Sequence, residues 1–210
     1  MCHQRLQVLA FAGLRRAMGA SFLLMLAAAC AQATEAEDLW REALAVRPAV
    51  ESLAAHARIA PVDEPGTRLR IVGTMFASDG VTPLQGVLVY AYHTDAGGLY
   101  SRGPEPRRRL RLVGWARTDA EGRFAFDTIR PGPYPGRRIP AHVHFMAEGA
   151  GYPPQWLHDL QFAGDPLHDA AHLAQAEAQG IFAEIVPVKV AADGSQSCEV
   201  RFRLAAKSNL

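Results

Sequence analysis

Residues 68–94 read RLRIVGTMFASDGVTPLQGVLVYAYHT. Apolar and polar residues alternate through RLRIVGTMF (68–76), Asp79-Gly80 supplies a turn, and GVLVYAYHT (86–94) resumes an apolar, aromatic-rich run. Alternation with a period of two, broken by a turn dipeptide, predicts two adjacent β-strands. Working outward, the same rhythm recurs in LRLVGWART (110–118), GRFAFDTI (122–129), AHVHFMAE (141–148) and WLHDLQF (156–162). A final pair, AEIVPVKVA (183–191) and CEVRFRL (198–204), is joined through ADGSQS and reads as a hairpin. Gly97-Gly98, Glu121-Gly122 and Asp193-Gly194 fall between strands and read as turns. HDAAHLAQAEAQG (168–180) predicts one short helix. Many short strands without a βαβ rhythm predict an all-β domain, a β-sandwich over residues 68–210.

Upstream of residue 68 the pattern is different. TEAEDLWREALAV (34–46) and PAVESLAAHARIA (48–60) carry helical spacing, with Pro48 breaking the run, and PVDEPGT (61–67) reads as a linker. The sandwich is therefore expected to carry short N-terminal helices within a 34–67 extension. Residues 1–33 read as a signal peptide: Arg5, Arg15 and Arg16, no acid before Glu35, an apolar run from Ala20 to Ala29, and Ala31-Gln32-Ala33 ahead of Thr34. That run is too short for a stable membrane span, so no spanning segment is expected in the mature chain. The expectation is export to the periplasm or the exterior, with a twin-arginine route through Arg15-Arg16 and lipid attachment at Cys30 as variants.

Composition narrows the function. The chain has 210 residues, 49% of them hydrophobic, enough to bury a sizeable core. A formal charge of +1 turns negative once the three arginines of residues 1–33 are removed, which argues against nucleic acid as partner. Cys2 and Cys30 leave with the same segment, so Cys198 has no internal disulfide partner.

The sharpest local feature is His142-Val143-His144. On a strand, residues i and i+2 share a face, so two imidazoles stand side by side as they would to hold a metal. Such a pair also arises in strands by chance. Tyr134, held between Pro133 and Pro135, lies eight residues before His142, and Tyr100 ends the Gly-rich TDAGGLY (94–100). A phenolate is a hard anionic ligand suited to Fe(III). Each Tyr alone also reads as an amphipathic side chain at a strand end.

Taken together, these pieces resemble the intradiol ring-cleavage dioxygenases, in particular the catalytic (beta) subunit of the protocatechuate 3,4-dioxygenases. GTMFASDGVTPLQGVLVYAYHTDAGGLY (73–100) is similar to that family's strand pair ending in Tyr, and WARTDAEGRFAFDTIRPGPYP (115–135) to its T-D-x-x-G block. AHVHF (141–145) resembles its HxHF, and LQFAGDPL (160–167) its L-Y-F-x-G-D-P-L. The resemblance implies a prealbumin-like sandwich and a non-haem Fe(III) held by Tyr100, Tyr134, His142 and His144. It also implies a catecholic substrate and O2, and a cis,cis-muconate-type product. Tyr134 would take a substrate proton, and Arg138, with its neighbour Arg137 as the alternative, would stabilise negative charge on the bound ring. Family enzymes are often oligomeric, so a homo-oligomer is a further expectation.

The chain departs from the family pattern around the ligands. Tyr92 stands where a Trp is expected, Asp159 near a pocket Gln, Gln161 for the Tyr of the last block, and Gly136-Arg137 for a Trp-Arg pair. These changes bear on the substrate more than on the reaction class. PRRRLR (106–111) reads as a solvated loop or as an anion-holding cluster beside a cleft. His158, His168 and His172 read as surface or helix residues, and Trp115 and Trp156 as core or core-edge residues. The rival function is a non-catalytic prealbumin-like binding module, which shares the T-D-x-x-G turn but has no use for the Tyr and His quartet.

Overall fold

The computed structural model describes residues 37–101 and 110–210. Residues 1–33, read as a signal peptide, with Cys30, and Arg107 to Arg109 of the basic loop lie outside the described residues. The chain divides into two compact units. In the first, the described residues 37–45 form a helix, α1. The second, Val46–Asn209, contains all the strands.

In chain order the strands are β1 (His56–Arg58), β2 (Arg68–Phe76), β3 (Leu88–His93), β4 (Leu112–Arg117), β5 (Arg123–Ile129), β6 (His142–Gly149), β7 (Tyr152–Trp156), β8 (Leu160–Phe162), β9 (Ile185–Val186), β10 (Val188–Val190) and β11 (Gln196–Arg203). One helix, α2 (Ala170–Gln179), precedes β9, and the Asp169 carboxylate caps it by accepting from the His172 backbone N–H. One sheet has the order β1-β5-β2-β11-β10, and the other β4-β3-β6-β8-β9 with β7 beside β6. The two sheets form a sandwich. Among the described residues no helix is long and apolar enough to cross a membrane.

Alternation explains how the sheets meet. Leu69, Ile71 and Met75 of β2, Phe124 and Phe126 of β5, and Val200 and Phe202 of β11 turn inward from one sheet. Val89 and Ala91 of β3 and Val143, Phe145 and Ala147 of β6 turn inward from the other. Burying each of these large side chains contributes about 1.5–3 kcal/mol. β3 is buried on both faces: Val89 and Ala91 enter the core, while Tyr90 and Tyr92 lie on the opposite face with His142 and His144 of β6. Cys198 is buried in β11, and burial pushes its thiol up to about 12.

Three expectations are corrected. The helical reading of 34–60 holds for 37–45 but fails beyond Pro48. There a single 3-10 turn (Val50–Ser52) leads into β1, which pairs parallel with β5. The Ala54 and Ala55 carbonyls accept from Arg117 and Ala125 N–H at 3.0 and 2.7 Å, so sheet hydrogen bonds override local helix propensity. The single strand read over 156–162 is two strands, β7 and β8, separated by residues 157–159. The strand read over 183–191 is divided at Pro187, which has no N–H for the ladder. The hairpin joining 183–191 to 198–204 is present as β10 and β11, and α2 occupies the predicted helical stretch.

Candidate metal centre

Strand geometry places His142 and His144 on one face of β6, with ring centroids 4.5 Å apart. Tyr100 comes from the loop after β3 and Tyr134 from the loop after β5. Asp95 shapes the first loop: its carboxylate accepts from Gly97 N–H at 2.9 Å and Leu99 N–H at 3.1 Å. Its backbone carbonyl accepts from Gly132 N–H at 2.9 Å, tying the two tyrosine loops together. They cross where neither residue has a side chain. A Cβ on Gly98 (φ 82°) would lie 2.0 Å from the Pro133 carbonyl oxygen, and one on Gly132 would lie 2.4 Å from that of Ala96. Ala141 N–H donates to the Asp165 carboxylate at 3.1 Å, fixing the entry to β6.

Four polar atoms converge as a result. Tyr134 Oη lies 3.1 Å from His142 Nε2 and 3.2 Å from His144 Nε2. Tyr100 Oη lies 2.9 Å from His144 Nε2 and is in hydrogen-bond contact with Tyr134 Oη. The two Nε2 atoms are 3.1 Å apart. The opposite ring nitrogens settle the tautomers. His142 Nδ1 lies 2.7 Å from the Pro140 carbonyl, and His144 Nδ1 lies 2.7 Å from Asp159 Oδ1. A carbonyl and a carboxylate only accept, so both Nδ1 atoms carry the proton and both Nε2 atoms present lone pairs. Two such lone pairs cannot hydrogen-bond to each other; a cation between them satisfies both. Donor separations of 2.9–3.2 Å match atoms disposed around one ion about 2 Å from each.

Electrostatics agree. Burial, and then the contact with Tyr134, drives the Tyr100 phenol well above the ordinary range. Burial also raises Tyr134, against the opposing effects of Tyr100 and the Arg137 charge. Burial and the neighbouring His144 lower His142, keeping it neutral. Without a cation the phenols stay protonated and His142 neutral; two phenolates and two imidazoles form a hard, anionic donor set that fits Fe(III).

All four predicted ligands are therefore brought together. Arg137 and Arg138 are both exposed. The Arg137 charge acts on Tyr134, while Arg138 makes no hydrogen bond or ion pair among the described residues. Within the PRRRLR run, Arg111 forms a two-pronged ion pair with buried Glu64, and its N–H donates to the Tyr100 carbonyl at 3.2 Å. It braces the Tyr100 loop. His168 bonds to Gln161, the residue opposite His142 in the β6–β8 pair, and His172 to Asp169; neither is among the converging donors. Trp115 is buried against Tyr90, and Trp156 borders His144.

Asp159 was read from sequence only as a departure in the pocket. The structure makes it the acceptor behind His144, grouped with His142 and His144 within 4.8 Å. Burial pushes its carboxyl up, but the His144 hydrogen bond and the imidazoles around it outweigh that and hold it below the usual carboxylate range. Tyr92 stacks on the His144 ring at 4.6 Å and 26°.

The profile of the Dioxygenase family matches residues 47–207. Catechol 1,2-dioxygenase 2 of Acinetobacter lwoffii is 30% identical over 128 residues, covering 53% of this chain and 46% of that protein. The protocatechuate 3,4-dioxygenase beta chain of Burkholderia cepacia is 30% identical over 112 residues, 49% of this chain and 47% of that one. The chain thus spans about half the length of the curated relatives it matches. Among solved structures, the dioxygenase domain of a dioxygenase–carbohydrate-binding protein fusion from Streptomyces sp. SirexAA-E superposes with a TM-score of 0.55 at 27% identity, over 71% of this chain and 87% of that one. Catechol 1,2-dioxygenase from Pseudomonas arvilla C-1 shares the fold, with a TM-score of 0.55 at 24% identity over 72% of this chain and 56% of that one.

Proposed function

Because the chain belongs to the intradiol dioxygenase family, we propose that it binds Fe(III) through Tyr100, Tyr134, His142 and His144 and cleaves a catecholic ring with O2 to a cis,cis-muconate-type product. The observation that carries this reading is the convergence of two Nε2 lone pairs and two phenol oxygens on one point. A binding module built on the same sandwich has no need of it.

Bound Fe(III) supplies Lewis acidity and an electron-accepting centre that activates a catecholate toward O2. The protein's part is geometric and protonic. β6 fixes the two imidazoles, and the Nδ1 hydrogen bonds to Pro140 and Asp159 hold them in the ligating tautomer. Tyr100 is the more firmly held phenol, braced through Asp95 and Arg111. Tyr134 stands on a separate loop beside the Arg137 charge, and as a phenolate its Oη is the base for one catechol proton. Arg138, placed by its position ahead of His142, offsets negative charge on the bound ring.

The test is a visible absorption spectrum with iron quantitation, before and after anaerobic addition of catechol. Stoichiometric iron with a broad tyrosinate charge-transfer band that moves to longer wavelength with catechol supports the reading. A protein that stays colourless after reconstitution with iron overturns it. Residues 1–33 are proposed as an export signal, supported by Arg5, Arg15 and Arg16, the apolar run and Ala31-Gln32-Ala33. A mature N-terminus at Thr34 supports cleavage there, whereas a lipidated Cys30 identifies an anchored form instead.

A further inference from the structure

The two imidazoles of the quartet are backed differently. His142 Nδ1 donates to a neutral backbone carbonyl, that of Pro140. His144 Nδ1 donates to a carboxylate, Asp159, at 2.7 Å. The contact exists because the chain breaks between β7 and β8. Leu157 N–H donates to the Phe145 carbonyl at 3.0 Å, and residues 157–159 turn Asp159 in behind the ring. Asp159 bonds to the nitrogen opposite the one that faces the phenols, so it stands outside the donor quartet. Ring orientation is largely fixed by other means, since Tyr92 stacks on His144 at 4.6 Å and Trp156 packs against it at 6.1 Å. Asp159 therefore adds two things that Tyr92 and Trp156 cannot: a fixed tautomer and a negative charge.

We propose that Asp159 is a positioning residue that makes His144 an electron-rich, partly imidazolate-like donor and places a fixed negative charge behind that ring. The proposal rests on the Fe(III) reading above. A carboxylate hydrogen-bonded to a ligating imidazole raises that ligand's basicity and draws its Nδ1 proton toward the carboxylate.

The experiment compares the wild-type chain with Asp159→Asn, which keeps an acceptor but removes the charge, and Asp159→Glu, which restores the charge. Three quantities are read: Fe(III) affinity by competition with a chelator, the tyrosinate charge-transfer maximum, and the Fe(III)/Fe(II) reduction potential. Nitrogen chemical shifts of the metal-free protein report the His144 tautomer. Asp159→Asn is expected to weaken Fe(III) binding about 10–100-fold, shift the band to longer wavelength and raise the potential, because a less electron-rich ion accepts charge more readily. In the metal-free wild type the proton is expected on His144 Nδ1, with a mixture of tautomers in Asp159→Asn. Asp159→Glu is expected to bring the band and potential back toward wild type. A coloured wild type with unchanged affinity, band and potential in Asp159→Asn overturns the inference alone. A colourless wild type overturns the iron reading itself, and the inference with it.

Discussion

His93 lies at the end of β3, buried between the sheets. Its Nδ1 lies 2.7 Å from the Thr94 carbonyl and its Nε2 2.6 Å from Thr128 Oγ1 of β5. Nδ1 must donate to the carbonyl, so Nε2 accepts from the hydroxyl, an arrangement written for a neutral ring. Burial lowers the side chain to about 4 from an ordinary 6.5. Below about pH 6.5 the unfolded chain binds a proton there that the folded chain does not take up until about pH 4. Stability should therefore fall through that window as pH drops, by about 3 kcal/mol from this group. Urea unfolding of the metal-free protein at intervals between pH 7 and pH 4 checks this, with His93→Gln expected to flatten the profile. At the proposed metal centre, Tyr134→Phe should retain iron through the other three proposed ligands while slowing turnover at least tenfold. Rapid-mixing spectra at several catechol concentrations separate binding from later steps, and unchanged kinetics would remove Tyr134 as the base. The quartet was legible in the sequence because each member sits in a locally constrained stretch: HxH by strand periodicity, Tyr134 by its flanking prolines, Tyr100 by its glycines. Asp159 was not, because its contact with His144 depends on a break between two strands that read as one.

The crossing of the two tyrosine loops decides whether the quartet can form. Gly98 and Gly132 let the backbones touch, and Gly98 adopts a positive φ that side chains disfavour. Gly98→Ala should cost more than about 1 kcal/mol and push the Pro133 carbonyl away, carrying Tyr134 from Tyr100. Loss of iron colour with retained β-sheet circular dichroism is the expected outcome. Full colour would show that the loops separate without disturbing the phenols. Strand positions in the middle of the chain were readable because one face of each is uniformly apolar. β1 was misread because HAR is too short to show a period, and its capture depends on carbonyls and N–H groups far along the chain. β7, with Pro153 and Pro154, gave no strand signal of its own.

At the scale of the whole molecule, Phe202 of β11 joins the two sheets. Its ring lies 4.9 Å from Phe145 of β6, 6.3 Å from Phe124 and 4.6 Å from His158. Phe202→Ala should cost about 3–5 kcal/mol, read as a lower urea midpoint with little change in slope. A loss below about 1 kcal/mol would mean that the sheets repack without it. The strand that bears this residue is not at a margin. β11 sits between β2 and β10 and runs parallel to β2, with Gln196 opposite Leu69 and Arg203 opposite Phe76. Until β11 has been synthesised that sheet ends at β2, because the three-residue β10 pairs with β11. β1, β5 and β2 can pair without it, but the Phe202 contact with Phe145 of the other sheet forms only once β11 is made. In the nascent chain β2 is therefore an open strand edge, a template for pairing with the wrong chain until β11 covers it.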